Sequence, residues 1–220
     1  PIVAGGTGLY LDSLLSGRTF APFSPDGGLR ARLEARFDAL GGVAMLGELA
    51  AADPEAAARL HPNDRKRIVR ALEVFQQTGK TISQHNRETR ALPLRYDALT
   101  LSLAFQRRED MWARIDRRVD EMMAAGLAEE VRALLDSGVP VRCTAMQAIG
   151  YKEMAAALRG GGDVCAAAEE IKLRSRQYAK RQLTWFRRTE GAKWLFWGPE
   201  PDFEAACRTS TKYLEEFGLV

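Results

Sequence analysis

The chain is poor in residues that hold metals. Among 220 residues there are three cysteines and two histidines. Cys143, Cys165 and Cys207 stand far apart without a C-x-x-C pair, and only His61 and His85 could assist them, which argues against a zinc site. Incidental or buried thiols in a reducing compartment are the expectation. No run approaches the ~18 apolar residues that span a bilayer, and no basic region followed by an apolar stretch and a cleavage site opens the sequence. These absences lead to the expectation of a soluble, cytoplasmic protein with no membrane partner. The phosphate-cradling pattern G-x-x-x-x-G-K-[ST] occurs nowhere, and there is neither an internal repeat nor a low-complexity tract.

What is present is an ordinary globular balance, 46% hydrophobic and 28% charged, which excludes disorder and collagen. The length allows one large domain or two small ones with a buried core. A net charge of +3 is a mild hint of an anionic partner. Its distribution says more: positions 171–190 hold seven basic residues (Lys172, Arg174, Arg176, Lys180, Arg181, Arg187, Arg188) against Glu190 at the end.

The opening PIVAGGTGLYLDSLLSG reads as the end of a buried strand (1–4), a tight turn (5–8) and a helix from Leu9. A strand in that place leaves half a ladder unpaired, so its partners lie later in the chain or upstream of Pro1. A loop with Pro22 and Pro25 follows. Apolar residues at helical spacing then predict helices over 29–40 and 43–52, the first ending at Gly41-Gly42. Asp53 with Pro54 starts another, and Asp64 caps one over 65–78 that stops at Gly79. The alternating stretch 99–105 predicts a strand. Helices are expected over 109–125, 127–137, 144–158 and 164–189, then a strand in AKWLFWG and a last helix capped by Asp202. Three strands separated by helices imply a parallel sheet in an α/β core. Three are few for such a sheet, and more are expected before Pro1.

Several stretches can carry chemistry. The glycine turn 5–8 at the end of a strand can offer free amides to an anion, or be a plain βα turn. In HPNDRKRIVRALEVF, Ile68, Leu72 and Phe75 make an apolar face while Lys66, Arg67 and Arg70 crowd a helix start, where the dipole disfavours cations. Either an anion compensates them or Asp64 and Glu73 pair with them. Arg174, Tyr178, Arg181, Trp185 and Arg188 share a helical stripe that suits phosphates and unstacked bases, with inward packing of Trp185 and Phe186 as the alternative. Arg114 and Arg118, one turn apart, suit a diphosphate or ordinary surface pairing.

Taken together, GGTGLYLDSLLSG, HPNDRKRIVRALEVFQQTGK, AIGYKE and RQYAKRQLTWFR resemble, in order and spacing, the tRNA dimethylallyltransferases, from Pro1 to Trp197. The resemblance implies a P-loop-NTPase-like α/β core, incomplete and mostly helical in this chain, in residues 1–20 and 93–220. It also implies a helical insertion over 21–92 that grips the anticodon stem. The implied reaction moves the dimethylallyl group of dimethylallyl diphosphate to N6 of an adenosine beside the anticodon, with Mg2+ assisting, after the base is turned out of its stack. By the same resemblance Thr7 and Arg118 are catalytic, and Gly5, Gly6, Thr7 and Arg118 hold the diphosphate. The tRNA would meet Arg30; Lys66, Arg67, Ile68, Val69 and Arg70; Gln147, Ala148, Ile149, Gly150, Tyr151 and Lys152; and Lys180, Arg181, Gln182, Leu183, Thr184, Trp185, Phe186 and Arg187. A monomer is expected. The family's phosphate loop and the acidic residue taken as its base would precede Pro1, so the chain alone is expected to be inert. Two other readings stay open: a non-catalytic basic RNA-binding module, and a prenyltransferase acting on free adenine nucleotide.

Overall fold

A computed structural model of the chain describes residues 1–17 and 27–219. The chain divides into two compact units, Leu9–Ala98 and Pro1–Gly8 with Leu99–Val220. The expected loop around Pro22 and Pro25 lies outside the described residues.

In the Leu9–Ala98 unit every regular element among the described residues is a helix. After α1 (Gly8–Leu15) come α2 (Gly27–Ala52), α3 (Pro54–Ala57), α4 (Arg65–Thr78) and α5 (Ile82–Arg90). The two helices expected over 29–40 and 43–52 are the halves of α2, broken at Gly41 by φ 81°. Leu33, Met45, Leu49, Ile68, Val69 and Leu72 form the core, chiefly between α2 and α4. Each large apolar side chain buried there contributes ~1.5–3 kcal/mol.

Asp53, 3% exposed, ties three segments together. Its Oδ1 accepts the Ala56 amide that opens α3, and its Oδ2 accepts the Ser83 amide of α5, each at 3.0 Å. Burial pushes the carboxyl up, but the amide bonds from Ser83 and Ala56, with Arg59 nearby, outweigh it and hold the group below its usual value. α4 has the expected bounds, yet Asp64 does not cap it with its side chain; the carboxylate accepts the His61 amide instead, at 3.1 Å. α5 departs from the sequence reading, which had no helix there. Thr81 and Gln84 start it with a reciprocal capping box.

The second unit begins with β1 (Leu101–Phe105), followed by α6 (Arg108–Ala124), α7 (Leu127–Asp136), a 3₁₀ turn (Ala145–Gln147), α8 (Tyr151–Gly160), α9 (Val164–Phe186), β2 (Lys193–Trp197) and α10 (Phe203–Phe217). β1 and β2 pair in parallel, Leu101 beside Lys193 through Phe105 beside Trp197, so the helices α6 to α9 form the crossover. Val119, Leu127, Val131, Met146, Met154 and Ile171 pack α6, α7, α8 and α9 into one core.

Two expectations are corrected here. Residues 1–4 are not a strand, because neither β1 nor β2 pairs with them. The helix expected over 144–158 is interrupted: Ala148 is extended and Gly150 sits at φ 104°, so α8 restarts at Tyr151. Among the described residues no helix is long and apolar enough to cross a membrane.

Candidate nucleic-acid interface

The glycine turn and the last turns of α9 meet. Gln182 Nε2 donates to the Gly6 carbonyl at 2.8 Å. A Cβ on Gly6 would stand 2.0 Å from Gln182 Nε2, and one on Gly8 would stand 2.0 Å from Trp185 Cδ1. A side chain at position 8 would collide with the indole ring, whereas one at position 6 would displace the end of the Gln182 side chain and its bond to the turn. Between them Thr7 is exposed, and its hydroxyl has no protein partner among the described residues.

A second face of α9 borders an open groove of ~640 Å³ against α8. Gln147, Ile149, Lys152 and Glu153 line one side; Asp163, Glu170, Arg174, Gln177 and Arg181 line the other, so the groove is of mixed charge. Two stretches singled out in the sequence, AIGYKE and RQYAKRQLTWFR, thus share one surface. Within it Arg174 Nε is paired with Glu170 at 2.6 Å. Arg181 has no carboxylate partner among the described residues, and its guanidinium carbon lies 5.7 Å from the Tyr178 ring centroid. Glu170 and Gln177 were missed, although 170, 174, 177 and 181 follow the spacing of a single helical face.

The 147–152 stretch divides by role. Gln147 Nε2 donates to the Val141 carbonyl at 2.8 Å, while Ala148 and Lys152 are exposed and Ile149 is half-buried. Gly150 is buried and its amide donates to Glu153 at 2.9 Å, so its part is to restart the helix. The Tyr151 hydroxyl donates to Glu130 at 2.5 Å, a bond that, together with burial, raises its pKa. In the 180–187 stretch Lys180, Arg181, Thr184 and Arg187 are exposed, Trp185 is 38% exposed, and Gln182, Leu183 and Phe186 are half-buried. The Thr184 hydroxyl donates to the Lys180 carbonyl at 2.9 Å.

A third face of α9 is bound to α6 by charge. Arg176 Nη1 reaches both oxygens of Asp116 at 2.7 Å, and Lys172 lies between Asp120 and Glu169 at 2.7 and 2.8 Å. Hydrogen bonds to Asp120 and Glu169 raise the Lys172 pKa. Arg118, on the same α6, is exposed and has no partner among the described residues. Its guanidinium is therefore available to an anion.

In the Leu9–Ala98 unit the basic cluster of α4 is partly committed. Arg30 and Arg70 converge on buried Glu73 Oε2, at 2.9 and 2.7 Å, and Arg67 is 3.7 Å from Asp64. Lys66 is exposed, with no ion-pair partner among the described residues. Ile68 and Val69 are 0% and 2% exposed. This corrects their place among RNA-facing residues: their side chains fill the helical core, as the apolar face of α4 requires. Among the described residues no three His, Cys, Asp or Glu side chains converge as a metal site. The residues present do not fit as a ligand set for the implied Mg2+.

This mostly helical α/β unit, with a glycine turn seated on one face of α9 and a groove of mixed charge along another, is similar to known proteins. The sequence model of the IPP transferase family matches residues 1–189. A tRNA dimethylallyltransferase 1 of Trichlorobacter lovleyi is 50% identical over 195 residues, covering 89% of this chain and 63% of that protein. The tRNA dimethylallyltransferase of Bacillus subtilis is 43% identical over 204 residues, covering 93% and 64%. The crystal structure of the full-length tRNA isopentenylpyrophosphate transferase from Bacillus halodurans compares at a TM-score of 0.61 and 34% identity, covering 96% of this chain and 64% of that one. A eukaryotic dimethylallyltransferase acting on tRNA compares at 0.71 and 27% identity, covering 98% and 57%.

The chain belongs to the IPP transferase family, and its fold is the P-loop-like α/β type of those structures. It spans a little under two thirds of the length of the curated relatives cited.

Proposed function

We propose that this chain supplies the RNA-facing groove and the diphosphate-facing turn of a tRNA dimethylallyltransferase. The enzyme moves a dimethylallyl group from dimethylallyl diphosphate to the exocyclic N6 of an adenosine beside the anticodon. N6 attacks C1 of the allyl group as the C1–O bond breaks; diphosphate leaves with the electron pair, and the N6 proton passes to a base. That base is taken to lie in the portion of its relatives' length that this chain does not span. Thr7 and the amides of Gly5 and Gly6 hold the diphosphate, and the Arg118 guanidinium strengthens its hold as negative charge develops on the leaving oxygen. In this reading Lys152, Lys180, Arg181 and Arg187 meet tRNA phosphates, and residues 21–92 form the insertion that grips the anticodon stem, with Arg30, Lys66, Arg67 and Arg70 on it. Mg2+ is proposed as the cofactor of the reaction, and the described residues of this chain offer no ligand set for it. The protein acts as a monomer, and its three free thiols are in keeping with a reducing compartment such as the cytoplasm.

The observation that carries the reading is the seating of the glycine turn on the same helix, α9, whose Arg181 stands without a carboxylate partner among the described residues on a groove of mixed charge. One helix thereby serves both substrates, beyond what a simple RNA-binding module needs. The test joins the chain to the upstream segment of a full-length relative and supplies labelled dimethylallyl diphosphate, Mg2+ and an anticodon stem-loop. Label in the RNA is expected. RNA binding at low salt with no transfer favours the non-catalytic module, and transfer to free adenine nucleotide favours the nucleotide prenyltransferase.

A further inference from the structure

The family resemblance sets KRQLTWFR toward RNA, with inward packing of Trp185 and Phe186 as the alternative, and in the structure its side chains point two ways. Lys180, Arg181, Thr184 and Arg187 are exposed, whereas Gln182 and Trp185, three residues apart and so on one helical face, meet the glycine turn. The Gln182 amide donates to the Gly6 carbonyl at 2.8 Å, and the indole of Trp185 lies against Gly8 so closely that no Cβ fits there. Residues 1–4, which lead into the turn, form no ladder in the described structure. The side-chain bond to α9 therefore restrains the turn from one side.

We infer that Gln182 and Trp185 are positioning residues for the 5–8 turn, holding Thr7 and its neighbouring amides in the geometry that receives a diphosphate, and are not contacts for tRNA. The inference rests on the function proposed above for that turn. The physical requirement is simple. A turn whose amides are to meet an anion must be ordered before the anion arrives, otherwise the ordering entropy is charged against binding. Gln182 is well suited to this work: it is neutral, so it adds no charge to compete with the anion, and its length spans from helix to turn. Trp185 adds a flat wall that only glycine can approach.

The test uses Gln182→Met, which keeps the length and removes the donor, and Trp185→Leu, with and without Gly8→Ala. Two measurements are made. In the 220-residue chain, hydrogen exchange of the amides at positions 6–8 is expected to speed up about tenfold in Gln182→Met, with an unchanged melting temperature, from loss of one hydrogen bond. In the chain joined to the upstream segment of a full-length relative, KM for dimethylallyl diphosphate is expected to rise about tenfold in Gln182→Met, while the Kd for the anticodon stem-loop stays within twofold. Gly8→Ala is expected to raise the same KM, and adding Trp185→Leu to recover part of the loss, because the smaller side chain makes room for the new methyl. A raised RNA Kd with unchanged exchange at 6–8 would overturn the inference and return Gln182 to the tRNA surface. Unchanged exchange together with unchanged KM would overturn it as well. If the wild-type joined protein transfers no prenyl group, the functional reading fails on its own account, and the exchange measurement still decides whether Gln182 restrains the turn.

Discussion

Replacing Asp53 by alanine is expected to destabilise the helical unit by about 2–4 kcal/mol. The carboxylate is 3% exposed and does two jobs: it caps α3 through Ala56 and satisfies the Ser83 amide of α5. Loss of a helix cap costs ~0.5–2 kcal/mol. Leaving the Ser83 amide without its acceptor in a buried place costs a further ~1–3 kcal/mol. Asp53→Asn keeps a capping oxygen but turns an amide group toward a donor, and should fall between wild type and alanine. All four tryptophans (Trp112, Trp185, Trp194, Trp197) lie outside Leu9–Ala98, so indole fluorescence does not report on this unit. Urea unfolding followed by far-UV circular dichroism does, with the midpoint expected to drop by ~1–2 M for a small unit. The pH dependence has a definite sign. The folded carboxyl is held below its unfolded value of ~3.9. The stability advantage of wild type over Asp53→Asn is therefore complete above that value and shrinks as the pH falls through the lower folded one. A loss under ~0.5 kcal/mol for Asp53→Ala would refute the reasoning, since that is the range of an ordinary surface change.

Other changes separate packing from recognition. Ile68→Ala should cost ~2–5 kcal/mol by urea unfolding, yet leave the RNA affinity of the folded protein unchanged; weakened RNA binding at equal stability would put Ile68 at an interface. Arg181→Ala should weaken stem-loop binding and lower the slope of log affinity against log salt by about 0.7–0.9, read by filter binding at several salt concentrations. An unchanged slope would mean that Arg181 meets no phosphate. Arg118→Ala in the joined protein should lower transfer by ~10²–10³-fold with stem-loop affinity preserved; an equal loss in both would move Arg118 to the tRNA surface.

Much of the fold was legible where local signals agree. The end of α4 follows from Gly79, which takes the left-handed cap, while its start falls after Asp64 without the expected side-chain cap; the break at Gly41 follows from the paired glycines in α2. The two β-prone stretches became β1 and β2 in parallel register. α5 was not seen because ISQHNRETR offers almost no apolar period; its signal was the capping box of Thr81 and Gln84. The interruption before α8 was hidden because the apolar spacing continues across Gly150, while the backbone there turns to φ 104°. At the site, the basic character of α9 was readable, but the division of its faces was not. Whether Arg176 meets Asp116, or Gln182 meets Gly6 60 and 176 residues away respectively, depends on tertiary contacts that local spacing does not encode. For the same reason Ile68 and Val69 were grouped with their charged neighbours although the helix turns them inward.

The central claim is that α9 presents its outer face to an RNA while its end steadies a turn that receives the departing diphosphate. Nucleoside analysis of a stem-loop treated with labelled dimethylallyl diphosphate and the joined protein tests it most directly. The account predicts label on N6 of one adenosine beside the anticodon, lost in Arg118→Ala and Thr7→Val. Label-free RNA that the protein nevertheless binds, or transfer that is indifferent to both substitutions, would contradict it.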